Sequence, residues 1–236
     1  MKSMNGQQLK TIAITAMLLD HIAWAFLDFQ SFWGQLFHIV GRITAPTMSF
    51  FIVQGYLHTR SFWKYLTRLL VFAVISHVPY VYFSYGTMHW FSFNVLYTLA
   101  LGLLAVFCWD KISDLRLRTL AVIGLGILSL PGDWFYIIII FCLIFFIYRG
   151  DFRSQAAAVT YTAVIIVLVQ FGGSLAAGDT ISEALLSSGF HLGIILSLPL
   201  LKLYNGQRGG GRWSHWLFYI FYPAHLLVLS ALKQGF

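Results

Sequence analysis

Long apolar runs separated by short polar loops limit what this chain can fold into more than any other feature. A helix needs about 20 apolar residues to cross the roughly 30 Å hydrocarbon core of a bilayer. Of the 236 residues, 59% are hydrophobic and 10% are charged, whereas a soluble domain carries about 25% charged residues. The sequence therefore predicts an all-α, polytopic integral membrane helix bundle that forms one domain over residues 1–236. About nine spans are expected, at 9–28, 33–57, 61–83, 90–109, 116–131, 133–148, 155–172, 184–204 and 214–233.

The distribution of lysine and arginine among the loops predicts an orientation. These residues fall at the start of the first span and in every second loop after it, while the alternate loops carry only acidic charge. Because positive loops stay in the cytoplasm, we expect a cytoplasmic N-terminus, an external C-terminus and a multi-pass protein of the bacterial cytoplasmic membrane. The net charge of +7 then follows from topology, and no nucleic-acid partner is expected. The basic residues that define this pattern are Lys2, Lys10, Arg60, Lys64, Arg68, Lys111, Arg116, Arg118, Arg149, Arg153, Lys202, Arg208 and Arg212.

The fifth and sixth predicted spans are short and closely joined. They meet at Pro131-Gly132-Asp133, so 116–148 forms either two spans or one re-entrant hairpin.

The first span carries two ionisable residues, Asp20 and His21, near its middle. An ionisable residue at that depth costs roughly 2.5–3.5 kcal/mol on insertion scales, so it defaults to a functional hypothesis. Lys10 is on nearly the same helix face as His21 and roughly 16 Å away along the axis. The alternative is that Asp20 and His21 only hold helices together through hydrogen bonds.

Two other spans carry polar residues at a matching depth. Arg42 lies about ten residues from the outer end of the second span, and His225 about eleven residues into the last. An ion pair between Arg42 and Asp20 would offset much of the cost of burying the guanidinium. Asp20, His21, Arg42 and His225 are therefore expected at one level, and the Asp20–Arg42 pair is a specific prediction.

Further polar residues lie within the spans or at their edges. His38 shares a helix face with Arg42, and Pro46 withdraws the N–H that would bond the Arg42 carbonyl. Asn94 and Thr98 lie one turn apart, as do Tyr222 and His225. His77 and His191 are interpreted as structural histidines, and the spacing of the histidines does not specify a metal site.

Arg60, Lys64 and Arg68 recur every four residues at the predicted cytoplasmic surface. They are either a binding site for the phosphates of a nucleotide cofactor or ordinary inside charge.

Four segments resemble the TraX family in order. They read LKTIAITAMLLDHIAWAF, GRITAPTMSFFIVQGYLHTR, FNVLYTLALGLL and FYIFYPAHLLVL. The family is named for a conjugative-plasmid protein that acetylates the N-terminus of F-type pilin. The Lys-x10-His spacing is also similar to the first-helix motif of membrane acyltransferases that modify glycans. The resemblance implies His21 as the catalytic candidate, with Asp20, Arg42 and Lys10 beside it.

The resemblance and the polar residues together lead to a functional expectation. It is transfer of an acetyl group from cytosolic acetyl-CoA to an amine or hydroxyl, on a pilin N-terminus, a peptide or a glycan at the membrane, without a metal. The alternatives are a proton-coupled carrier, for which midplane charges and broken helices are equally expected, and a non-catalytic assembly protein. The residues expected to act are His21, Asp20, Arg42 and His225 in catalysis, Lys10, Arg60, Lys64 and Arg68 in binding acetyl-CoA, and Asn94, Thr98, Tyr222 and His38 in binding the acceptor.

Overall fold

The computed structural model describes residues 3–211 and 214–234, without the side chains of Ser214 and His215. Within these residues every regular element is helical, which confirms the all-α class. The helices are α1 (Gly6–Phe26), α2 (Phe32–Gly41), α3 (Thr44–His58), α4 (Phe62–Ile75), α5 (His77–Tyr85), α6 (Val95–Lys111), α7 (Leu115–Leu128), α8 (Ile137–Ile147), α9 (Phe152–Ala176), α10 (Ile181–Gly189), α11 (Ser197–Lys202) and α12 (Ser214–Gln234), with a 3₁₀ segment, Phe190–Leu196, between α10 and α11.

Among the described residues, five helical segments are long and apolar enough to cross a membrane, and a sixth is the bent pair α4–α5. The other three predicted spans coincide with shorter helices: α6 has 17 residues, α7 has 14 and α8 has 11. At about 1.5 Å per residue α8 is only roughly 16 Å long. The count of nine spans therefore stays a prediction. The five segments are Gly6–Phe26, Phe32–His58, Phe152–Ala176, Ile181–Lys202 and Trp216–Gln234.

The longest helix, α9, exposes apolar side chains to its surroundings. Val159 and Ala163 are buried, but Tyr161, Leu168 and Val169 are mostly exposed. A 25-residue helix that is apolar and largely uncovered is stable in lipid rather than in water. The protein is therefore a helical membrane protein.

Prolines interrupt three of the helical segments in the same way. Pro46, Pro79 and Pro199 are each the third residue of a new helix, in α3, α5 and α11. Proline is tolerated in a first turn because the N–H groups there have no intrahelical partner, but it cannot continue the preceding helix. The break before Pro46 ends α2 at Gly41 and leaves Arg42 as its C-terminal cap. The second predicted span is thus two helices.

Polar caps begin most of the other helices. Asn5 accepts from the backbone of Gln8, whose side chain bonds back to Asn5, and the Ser31 hydroxyl accepts from Gly34. Such caps satisfy N–H groups that the helix itself leaves unpaired. They define where α1 and α2 begin.

The chain divides into two compact units, residues 1–47 with 150–211 and residues 48–149 with 212–236, and the first division falls within α3. The first unit contains α1, α2, α9, α10, the 3₁₀ segment and α11; within it, α1 packs on α2, and the 3₁₀ segment packs on α2 and α9. The second contains α4 to α8 and α12; within it, α6 packs on α4, α7 and α8, while α12 packs on α5. The expectation of a single domain over the whole chain stays a prediction.

Candidate functional site

The Asp20 carboxylate is the centre of a buried polar cluster in the first unit. One oxygen, Oδ2, lies 2.5 Å from Nη2 of Arg42. The other, Oδ1, lies 2.7 Å from Nδ1 of His38. Asp20 and Arg42 are each 8% exposed. The predicted Asp20–Arg42 ion pair is confirmed, and the same carboxylate has a second partner in His38.

The helix break before Pro46 explains how α2 presents both partners. His38 lies in the last turn of α2, and Arg42 caps its C-terminal end. The two residues are four apart and therefore lie on one helix face. Gly41 lies between them, and a Cβ there would overlap the Asp20 side chain. Glycine at position 41 is thus required for α1 and α2 to approach this closely.

Aromatic rings surround the charged groups. The His38 ring packs against both Trp24 and Phe29, with centroid distances of 4.4 and 5.4 Å. Phe190, from the 3₁₀ segment, lies 5.6 Å from the His38 centroid, and the Arg42 guanidinium is 5.1 Å from the Phe190 centroid. These rings exclude water, which strengthens the electrostatic interactions of the cluster.

His21 and Lys10 lie on the same helix as Asp20. Both are half-buried, and His21 interacts electrostatically with the Asp20 carboxylate. His21 is more accessible than His38, which is 1% exposed. The catalytic role of His21 and the cofactor-binding role of Lys10 stay predictions.

His191 belongs to this cluster, although the sequence favoured a structural role for it. It lies in the 3₁₀ segment, stacks on Phe190 at 4.2 Å, and interacts electrostatically with Arg42 and Asp20. Gly193 helps to bring it there, because a Cβ at that position would overlap the Ile39 carbonyl of α2. Two features of the sequence could have indicated that His191 belongs to the site, namely a histidine within an apolar span and a glycine two residues later.

Comparison with known proteins assigns the chain to a family. The family profile described as "TraX protein" matches residues 5–233. The chain belongs to the TraX family. A relative of the TraX-family chain, the probable fimbrial assembly protein FimC, serogroup H1, of Dichelobacter nodosus, is 33% identical over 238 residues, which cover 96% of this chain and 95% of that protein. No solved structure matches.

Asn94 and Thr98, in the second unit of this TraX-family chain, bond to its backbone. Asn94 was expected one turn from Thr98 on a helix, but it is the N-cap of α6. Its Oδ1 accepts from the Leu96 N–H, and its Nδ2 donates to the Ala73 carbonyl at 2.8 Å. The Thr98 hydroxyl donates to the carbonyl of Val95 at 3.0 Å. These bonds give both residues a structural role, and acceptor binding by them stays a prediction.

Tyr222 and His225 lie one turn apart in α12, as predicted, and both are buried. Nδ1 of His225 is 2.8 Å from the Phe221 carbonyl. Because a carbonyl only accepts, Nδ1 is the donor. Tyr222 is hydrogen-bonded to the backbone of Val95. The catalytic role expected of His225 and its depth relative to Asp20 stay predictions.

The predicted basic stripe, Arg60, Lys64 and Arg68, differs in exposure along its length. Arg60 and Lys64 are exposed. Arg68 is half-buried, donates from Nε to the Tyr219 hydroxyl at 3.1 Å, and lies 5.3 Å from the rings of Tyr65 and Tyr219. Arg68 is thus held by two tyrosines, and cofactor binding by the stripe stays a prediction.

Asp110 is a carboxyl group outside the predicted spans whose pKa is lowered, as is Asp151. Asp110 lies near the C-terminal end of α6, 2.8 Å from Nζ of Lys111, and accepts from the Tyr56 hydroxyl at 2.7 Å. Hydrogen bonds from Lys111 and then Tyr56 lower the pKa of the Asp110 carboxyl. The Tyr56 hydroxyl is therefore bonded to a group in the second unit.

Metal ligation was not expected from the sequence. Within residues 3–211 and 214–234, no group of three or more histidine, cysteine, aspartate or glutamate side chains could hold an ion. The metal-independent reaction remains a prediction. Lys2 and Arg212, which contributed to the predicted orientation, lie outside the described residues.

Proposed function

We propose that this TraX-family protein transfers an acetyl group from cytosolic acetyl-CoA to an amine or hydroxyl at the membrane, with His21 as the base. The observation that supports this most is the buried cluster of Asp20, His38 and Arg42, with His21 beside it. Ionisable groups within a membrane protein are costly, and packing alone is a weak reason to keep them there.

The proposed reaction uses each group for one task. The His21 imidazole takes a proton from the attacking amine or hydroxyl, whose nitrogen or oxygen bonds to the thioester carbonyl carbon. Positive charge on Arg42 stabilises the oxyanion that develops. The carbon–sulfur bond then breaks, and the departing thiolate takes the proton from the His21 imidazolium. Histidine suits this role because its ordinary pKa is close to neutral pH.

A pilus subunit is the acceptor class that the family favours. The TraX family is linked to pilin acetylation, and the Dichelobacter nodosus relative is named a probable fimbrial assembly protein. We propose an acceptor that is reached from the membrane or the outer side, such as a pilin N-terminus. A peptide or glycan would meet the same chemical requirement of a nucleophilic nitrogen or oxygen.

Purified protein with radiolabelled acetyl-CoA tests this proposal. Thioester hydrolysis, self-labelling or transfer to a synthetic pilin N-terminal peptide is expected, and an N-terminally blocked peptide is the matched control for amine transfer. Absence of all three, in protein shown to be folded, would contradict the acyltransferase function.

A proton-coupled carrier is the second candidate, supported by the breaks before Pro46, Pro79 and Pro199. Discontinuous helices at midplane are typical of transporters. Substrate flux into proteoliposomes without consumption of acetyl-CoA would favour the carrier. If the protein shows neither substrate flux nor thioester chemistry, the result would favour a non-catalytic assembly protein.

The proposed reaction also requires the predicted orientation, in which the donor enters from the cytoplasm. We expect a reporter inserted at Ser113 to lie inside and one fused after Gln234 to lie outside, because lysine and arginine segregate into alternate loops. A cytoplasmic reporter after Gln234 would mean that one span is miscounted near Gly132.

A further inference from the structure

His38 combines a polar contact to the central carboxylate with almost complete burial. Its Nδ1 lies 2.7 Å from Oδ1 of Asp20, and 1% of the residue is exposed. Trp24, Phe29 and Phe190 pack around the ring. A side chain enclosed in this way touches Asp20 but has little surface with which to touch a substrate.

We propose that His38 is a positioning residue that holds the Asp20 carboxylate in the orientation required by Arg42. This replaces the acceptor-binding role that its sequence position suggested, and it rests on the proposed acyl transfer. The Asp20 carboxylate is divided between two partners, with Oδ1 on His38 and Oδ2 on Arg42. Each contact restricts rotation of the carboxylate about its χ2 angle, a torsion that is otherwise broad.

The direction of the hydrogen bond defines what position 38 must supply. A carboxylate paired with Arg42 is an acceptor, so Nδ1 of His38 donates. In the neutral ring Nε2 then carries no proton. Position 38 therefore has to supply one N–H directed at Oδ1 of Asp20. This hydrogen bond does not require the imidazole to gain a second proton.

Loss of this donor would also move Arg42. The guanidinium is bonded to the carboxylate through Nη2, so a carboxylate that rotates changes where the positive charge lies. Small misplacements of groups that stabilise a transition state cost about 10²-fold in rate. Residues that orient metal ligands through a hydrogen bond typically cost about 10–100-fold when they are lost, and we expect a loss of the same order here.

Two substitutions separate the hydrogen bond from packing. His38→Asn keeps an N–H close to the position of Nδ1, but it has less volume than imidazole and does not titrate. His38→Leu has about the volume of imidazole and no donor. We expect His38→Leu to lower kcat for transfer from acetyl-CoA about 10–100-fold with little change in KM. We expect His38→Asn to recover most of the lost rate and to leave the pH profile of kcat unchanged.

Three outcomes would overturn the positioning role. They are normal kcat in His38→Leu, a His38→Asn enzyme as slow as His38→Leu, and a pH profile that loses one limb in His38→Asn. The second would mean that an N–H donor alone does not meet the requirement at position 38, and the third that the imidazole itself carries the proton.

An activity-free measurement distinguishes failure of this inference from failure of the acyltransferase function. Melting temperatures of the wild type, His38→Leu, Asp20→Asn and the double variant form a cycle that isolates the interaction between the two side chains. We expect the double variant to lose less than the sum of the single losses. Additive losses would overturn the inference, whereas coupled losses in a protein without acetyl-CoA chemistry would refute only the proposed function.

Discussion

The buried candidate residues named below are bonded differently in the two units of this protein. In the first unit, Asp20, His38 and Arg42 bond to one another. In the second, Asn94 and His225 bond to main-chain carbonyls. The Asn94 bond satisfies the carbonyl of Ala73 in the last turn of α4, which the helix end would otherwise leave unpaired. A cluster of side chains that bond to one another is not needed to complete the backbone, so it is where chemistry is expected.

The largest expected effect contrasts His21 with His225. We expect His21→Ala to abolish acyl transfer, a loss of at least about 10²–10⁴-fold, while the protein still folds and binds acetyl-CoA. His225→Ala should weaken use of the acceptor and leave slow thioester hydrolysis intact, because α12 is predicted to end on the outer side, from which the acceptor is reached. The Nδ1 of His225 is hydrogen-bonded to the Phe221 carbonyl. Hydrolysis and transfer are to be measured separately at equal purified yield. Near-normal transfer by His21→Ala would mean that His21 on α1 is not the catalytic base, and it would favour the carrier.

The next effect concerns the ion pair in the first unit. Removing one partner of a buried pair costs about 3–5 kcal/mol because the remaining charge is uncompensated. Asp20→Asn should therefore lower folded yield and melting temperature more than the double variant Asp20→Asn with Arg42→Gln. The measurement is thermal unfolding in detergent. A double variant that is worse by the full sum of the single variants would show that the pair does not interact.

A smaller effect is expected from a single methyl group at the α1–α2 contact. Gly41→Ala places a Cβ against Asp20, and overpacking of this kind costs about 1–3 kcal/mol. Gly124→Ala is the matched control, because nothing lies within 4 Å of a Cβ at that position of α7. Melting temperatures of the two variants provide the comparison. Equal stability would mean that the helices separate without cost and that Gly41 does not determine the site.

The smallest expected effect tests whether Asn94, in the second unit, has a structural role. Asn94→Ala removes the N-cap of α6, which is worth about 0.5–2 kcal/mol, and leaves the buried Ala73 carbonyl without its amide donor. We expect a lower melting temperature and unchanged thioester hydrolysis per folded molecule. Asn94→Ser, which can cap but is shorter, should recover part of the stability. A selective loss of acceptor use in a stable Asn94→Ser protein would instead support acceptor binding.

Much of the candidate site could be predicted because charge complementarity is visible in the sequence. Asp20 and Arg42 are opposite charges within neighbouring apolar spans, and His38 lies one helical turn from Arg42. Such charges must pair to be tolerated in a membrane. Phe190 and His191 could not be predicted in the same way, because a non-local contact leaves no local periodicity.

The sequence by itself determined the all-α class, the TraX relationship and the Asp20–Arg42 pair. The class and the pair depend on composition, helical period and the cost of unpaired charge in lipid, which act locally or through one obvious partner. The TraX relationship depends on the resemblance of four segments. Only the tertiary structure decided that His38 shares the Asp20 carboxylate, that the 3₁₀ segment brings His191 to the same cluster, and that Asn94 caps a helix. Those outcomes depend on close packing at Gly41 and Gly193 and on where each helix begins, and neither is specified by the apolar pattern.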